Sequence, residues 1–438
     1  MTFFFTSIFI FLVFWRPQEW LLPWMFGWPV LDVVVFMALL ALIIEVDQGR
    51  VHFPKQRSQI FLLLGLWVAS IMSHVVHTYF AGMVETIPEV FKICFFTVLL
   101  FCILDRPGHL RALAIMFVLM SCVMSVHAIM QQKLGYGFMG LEPFLDVRPG
   151  RADPVLRSYF FGIFSDPNDL AQIIATSIPF TFVMTRRNSF LSILFGCAIT
   201  CLLVFGIIAT YSRSGLVALA GVTAVIMILV LPVRWMPFLM AGLFAGALAL
   251  CPLSIAQLDI SAHDRVVFWG MANQVFIASP LNFIFGIGHG MFWQVASSRA
   301  AHNAFVSCYT ELGVFGYWFW FILIFMGVMG AWRVRISLKE VRGVDEMWIR
   351  RFAGICIAAI IGFLSSAYFL SRAFIYPLFF LVAMLGSLPR IAEKYLSEGH
   401  PALISPARDI WGYGSIATVI SIIYIYISII LLNRAFYV

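Results

Sequence analysis

AHNAFVSCYTELGVFGYWFWFILIFMGVMGAWR, residues 301–333, opens on Ala301-His302-Asn303 and then runs to Arg333 with a single acid, Glu311, inside it. A bilayer span takes about 20 mainly apolar residues, and 303–331 exceeds that length. Comparable runs recur at 2–15, 22–45, 60–80, 90–104, 110–131, 169–185, 190–210, 215–231, 235–253, 352–370, 373–388 and 411–433. The first is short, so twelve or thirteen spans are expected. Residues 1–438 read as one all-α polytopic membrane domain, without a soluble domain or an internal repeat. The composition, 62% hydrophobic and 11% charged, excludes an ordinary soluble fold.

Two polar insertions interrupt the runs, at 132–168 and 254–302. Most of the 28 lysines and arginines lie in short connections on one side, among them Arg106, Arg111, Arg187, Arg333, Arg335, Lys339 and Arg390. By the positive-inside rule that side is cytoplasmic, and both insertions face the other way. The formal charge of +7 therefore sets orientation and implies no nucleic-acid partner. The eight cysteines are scattered through apolar runs with no CxxC pair. They read as small apolar residues, not as a disulfide framework or a metal site.

Polar residues gather at the non-cytoplasmic face. Phe164-Ser-Asp166-Pro167-Asn168-Asp169 precedes an apolar run. Asp166 suits an N-cap and Pro167 the first helical position, which leaves Asn168 and the nearby Arg157 facing the same region. Thr210-Tyr-Ser212-Arg213-Ser-Gly215 links two spans. Arg213 is either a snorkelling interfacial cation or a phosphate ligand, since a planar guanidinium contacts phosphate oxygens bidentately. Arg265 lies in Ala262-His-Asp264-Arg265-Val-Val-Phe-Trp269, an amphipathic segment in which Arg265 and Trp269 share a helix face. Gly286-Ile-Gly288-His289-Gly290 permits tight turns; either a plain loop or a close approach to a ligand fits it. His302 and Asn303 open the long helix. Imidazole is the side chain best matched to base catalysis near neutral pH. Arg372, between closely spaced spans, is a further cation on this face that the length of the loops does not explain.

In order and spacing, Phe164-x-Asp-Pro-Asn168, Ser212-Arg213-Ser-Gly215, Arg265 with Trp269, Pro280 through Phe292, His302-Asn303 and Glu311-x-Gly313-x-x-Gly316 resemble the O-antigen ligase and polymerase family. The resemblance covers roughly residues 155–330, and the Arg16-Pro-Gln-Glu-Trp20 stretch looks like N-terminal regions of some members. It implies a GT-C-like polytopic glycosyltransferase of the bacterial inner membrane, working at the periplasmic face with neither cofactor nor metal. The implied donor is a glycan on undecaprenyl pyrophosphate, and the implied acceptor a hydroxyl of lipid A-core or of another molecule. Carried over residue by residue, Arg213 and Arg265 would hold the pyrophosphate, with Arg157, Asn168 and Asn303 as further contacts. His302 would activate the acceptor hydroxyl. Polymerase and protein O-oligosaccharyltransferase activities of the same superfamily remain open. So does, from another class, an anion transporter, for which His74 and His127 are the polar residues at mid-depth of a span.

Overall fold

The computed structural model describes residues 1–51, 58–147, 154–186, 189–232, 260–295 and 300–437. The expected span 235–253 and the basic residue Arg187 lie outside these. Among the described residues, eight helices are long and apolar enough to cross a membrane. They are Ser58–Val75, Phe80–Ile103, Pro107–Leu134, Phe190–Ala209, Arg213–Val230, Ala304–Ser337, Val344–Ala367 and the stretch Ala407–Arg434. The protein is a multi-pass, all-α membrane protein.

The remaining expected spans form helices of a different kind. Thr2–Trp15 has 14 residues and Tyr376–Ala392 has 17. Val30–Asp47 carries Asp32, Glu45 and Asp47, too many charges for a span. The run expected at 169–185 breaks into Pro167–Ser177, the 3-10 turn Ile178–Phe180 and Thr181–Met184. Pro179 sits in that turn, where a missing N–H and a ring clash stop an α-helix from continuing. The first two pieces are mainly buried, whereas in Thr181–Met184 only Thr181 is buried and Phe182 is exposed, so the segment is an internal plug as far as Thr181. Among the described residues, then, eight of the expected spans are long helices and the others are shorter, more polar or broken.

The core is packed around Ala304–Ser337 and Val344–Ala367. Arg213–Val230 lies close along Val344–Ala367, because Gly362 has no Cβ to collide with Val222. Small residues at such contacts let membrane helices approach. Gln172 donates from Nε2 to the Phe363 carbonyl at 3.1 Å, fastening the plug to the same helix.

The 132–168 insertion contains a two-stranded antiparallel ribbon, Phe144–Asp146 paired with Val155–Arg157. The described part of 254–302 folds as the helices Ile260–Ile277, Pro280–Phe285 and Phe292–Val295, as expected for an insertion carrying short helices.

Candidate functional site

Asp166 behaves as an N-cap: its Oδ1 accepts from the Asn168 backbone N–H at 2.7 Å, with Pro167 at the first helical position. That fixes the direction of the Asn168 side chain. Its Oδ1 accepts from Arg157 Nη2 at 2.9 Å and from Ser212 Oγ at 2.7 Å. Asn168 thus joins the ribbon to the turn that carries Arg213.

Arg157 faces inward. It is 7% exposed, donates from Nε to the Thr210 carbonyl at 3.3 Å, and lies 3.5 Å from Asp146 Oδ2. These internal partners make Arg157 a brace between the ribbon, Asn168 and the Thr210 turn.

The Thr210–Ser212 turn presents Arg213. Tyr211 has φ +49°, a left-handed conformation that costs on the order of 1–3 kcal/mol in a non-glycine residue. Ser212 Oγ accepts from the Gly215 N–H at 3.2 Å and caps the helix. Arg213 is the first helical residue and is exposed. Unbonded N–H groups of the first turn and the positive end of the helix dipole point the same way, so the position suits an anion.

Next to Asn168, Asp169 reaches across 203 residues of sequence to Arg372. Arg372 donates from Nε to Oδ1 at 2.8 Å and from Nη2 to Oδ2, a bidentate pair. The Asp169 side chain is 4% exposed and that of Arg372 39%. The residue before Arg372 holds the proposed base: Ser371 Oγ accepts from the His302 backbone N–H at 2.7 Å. His302, at φ +49°, is half-buried. On its other side, the Ala301 carbonyl accepts from Trp269 Nε1 at 2.7 Å. Trp269 lies one turn along the helix from Arg265, so this bond ties the Arg265 helix to the His302 turn.

These contacts form one continuous frame. It runs from Arg213 through Ser212, Asn168, Asp169, Arg372, Ser371, His302, Ala301 and Trp269 to Arg265. Asn303 is the exception. It is fully buried, and its Oδ1 accepts from the N–H groups of Phe305 and Val306 at 3.0 and 3.1 Å. It is the N-cap of the long helix.

The glycine-rich loop turns away from solvent. Ile287 and Gly288 donate to the carbonyls of Thr310 and Glu311, which the break in the long helix at Gly313, φ +64°, leaves available. His289 donates from its backbone N–H to Ser73 Oγ at 3.0 Å and packs its ring edge-on against Phe374. Burial, with the His74 charge second, holds its imidazole down to about 4. The loop supports the 371–375 segment from below.

Asp169, Ser371 and Arg372 were absent from the site as expected from sequence. Arg372 alone carried a signal, its unexplained charge on the non-cytoplasmic face.

Residues 197–321 match the family model described as O-Antigen ligase; the match contains Arg213, Arg265, His302 and the glycine-rich loop. No curated protein matches the chain. That stretch, with this motif series inside it and a multi-pass helical fold around it, is similar to the O-antigen ligase family.

Proposed function

We propose that the protein transfers a glycan from undecaprenyl pyrophosphate to an acceptor hydroxyl, lipid A-core or a similar molecule, at the periplasmic face of the inner membrane. The observation that carries this reading is the hydrogen-bonded frame that holds Arg213, Arg265 and His302 in one assembly. In the reaction, His302 takes the proton of the acceptor hydroxyl as its oxygen bonds to the anomeric carbon. The bond from that carbon to the phosphate oxygen breaks, and its electron pair leaves with the lipid pyrophosphate. Charge develops on that leaving group, and fixed cations placed where charge develops are an effective form of stabilisation. Arg213 and Arg265 supply them without a metal.

Transport is the weaker reading. His74 and His127, the residues that could have marked a polar path, are 1% and 0% exposed. They bond to Thr86 Oγ1 and the Phe138 N–H, each at 3.0 Å.

Analysis of carrier-linked and surface glycans in cells lacking the protein tests the assignment. Full-length glycan left on the carrier and missing from the acceptor supports ligation. Single repeat units identify a polymerase, and unchanged glycans refute both.

A further inference from the structure

We infer that the cavity between the Gly162 turn and Arg372 is the subsite for the sugar ring of the acceptor, a reading that rests on the transfer function proposed above. The cavity measures about 220 Å³. That is space for several waters, enough to admit a group the size of a sugar ring.

Its polar wall is built from Ser165, Asp169, Gln172 and Arg372, with Phe164 and Ile375 on the apolar side. The Asp169–Arg372 fork offers acceptor oxygens beside guanidinium donors. A carboxylate has about four lone-pair sites and a guanidinium five N–H groups, more than the fork itself uses. Two neighbouring hydroxyls, each both donor and acceptor, match that array. Gln172 gives its Nε2 to the Phe363 carbonyl, which leaves its Oε1 to accept from a third hydroxyl.

Position supports the same ligand. On one side, Arg372 follows Ser371, which holds the His302 backbone. On the other, Asp169 follows Asn168, which holds the Ser212 turn and hence Arg213. A ring seated there would adjoin both the segment that holds the His302 backbone and the helix start that holds the Ser212 turn.

The Arg16–Trp20 stretch packs behind the Gly162 turn that forms one side of this cavity. Trp20 stacks on Phe161 with centroids 5.6 Å apart. Arg16, paired with Glu19 at 2.6 Å, lays its stem across Gly162, where a Cβ would meet Arg16 Cγ at 2.5 Å. Only a glycine, here at φ +63°, leaves room for that stem against the turn that lines the cavity.

The test fills the cavity without touching the ion pair. Ser165 is exposed and lines the opening, so Ser165→Trp adds bulk where the fold has space; Glu142→Trp, exposed in the same insertion but outside the cavity, is the control. Donor and acceptor lipids extracted from cells lacking the protein are the probes, and donor binding is measured separately from steady-state transfer. The expected result for Ser165→Trp is an acceptor KM raised about tenfold or more, with donor binding and kcat kept, the pattern of lost acceptor binding. Glu142→Trp should behave as wild type. Unchanged acceptor KM, or a loss confined to donor binding, overturns the subsite while leaving the transfer function standing. No transfer by the wild-type protein overturns the function, and the subsite with it.

Discussion

Ser371→Ala removes one hydrogen bond and nothing else of size. The bond, 2.7 Å from the His302 N–H to Ser371 Oγ, holds a residue at φ +49°, where a non-glycine backbone does not rest unaided. A neutral hydrogen bond contributes about 1 kcal/mol net. If the His302 turn loses that restraint, the catalytic geometry becomes less populated by roughly the same free energy, which is about fivefold in rate at 1.4 kcal/mol per decade. The expected outcome is a kcat about 5- to 10-fold lower, with donor binding unchanged and little change in melting temperature. The diagnostic is the double variant. A residue that acts through His302 loses its effect once the imidazole is gone, so Ser371→Ala in a His302→Ala background should change transfer no further. Transfer kinetics for the four proteins of this cycle are the assay. Additive losses would show that Ser371 acts independently of His302, and an unaffected single variant would show that the turn needs no restraint.

Replacing Arg213 or Arg265 by Lys keeps a charge but loses the planar fork; expression should be retained and transfer fall steeply, and full activity of both Lys variants would reduce them to generic cations. Asn303→Ala should cost about 1 kcal/mol of stability through the lost cap, whereas Asn303→Asp, which still caps, should keep both stability in thermal unfolding and transfer. His289 gives a pH signature. Its folded value of about 4 lies below the ordinary 6.5, so stability is full above about pH 6.5 and falls as the pH drops through that window. At about 1.4 kcal/mol per pKa unit the loss by pH 4 is on the order of 3 kcal/mol. Thermal melts of the purified protein across pH 4–8 should show this slope, and His289→Gln should flatten it.

Local features of the chain were legible before the structure. The apolar runs announced helices, Asp166 and Pro167 announced a helix start, and the four-residue spacing of Arg265 and Trp269 announced a shared face. Each rests on neighbours in sequence. What escaped depends on pairings that no local pattern encodes. Asp169 looked like part of a capping motif, yet its partner Arg372 is 203 residues away. Arg157 looked like a ligand cation until Asn168, Asp146 and the Thr210 carbonyl were seen around it. The run at 169–185 had the composition of a span, but Pro179 breaks it and burial through Thr181 makes that part a plug. Asn303 sat beside the proposed base, and its place as an N-cap followed only once the start of the long helix was fixed.

The central claim is that His302 is the base and the arginines hold the donor. It is tested most directly with purified His302→Ala protein in lipid, measuring donor binding and glycan transfer separately. A positioned base contributes about 10²–10⁴ in rate, so transfer should fall by that factor while donor binding stays at the wild-type level. Loss of donor binding would make His302 a phosphate ligand, and near-normal turnover would remove it from the mechanism.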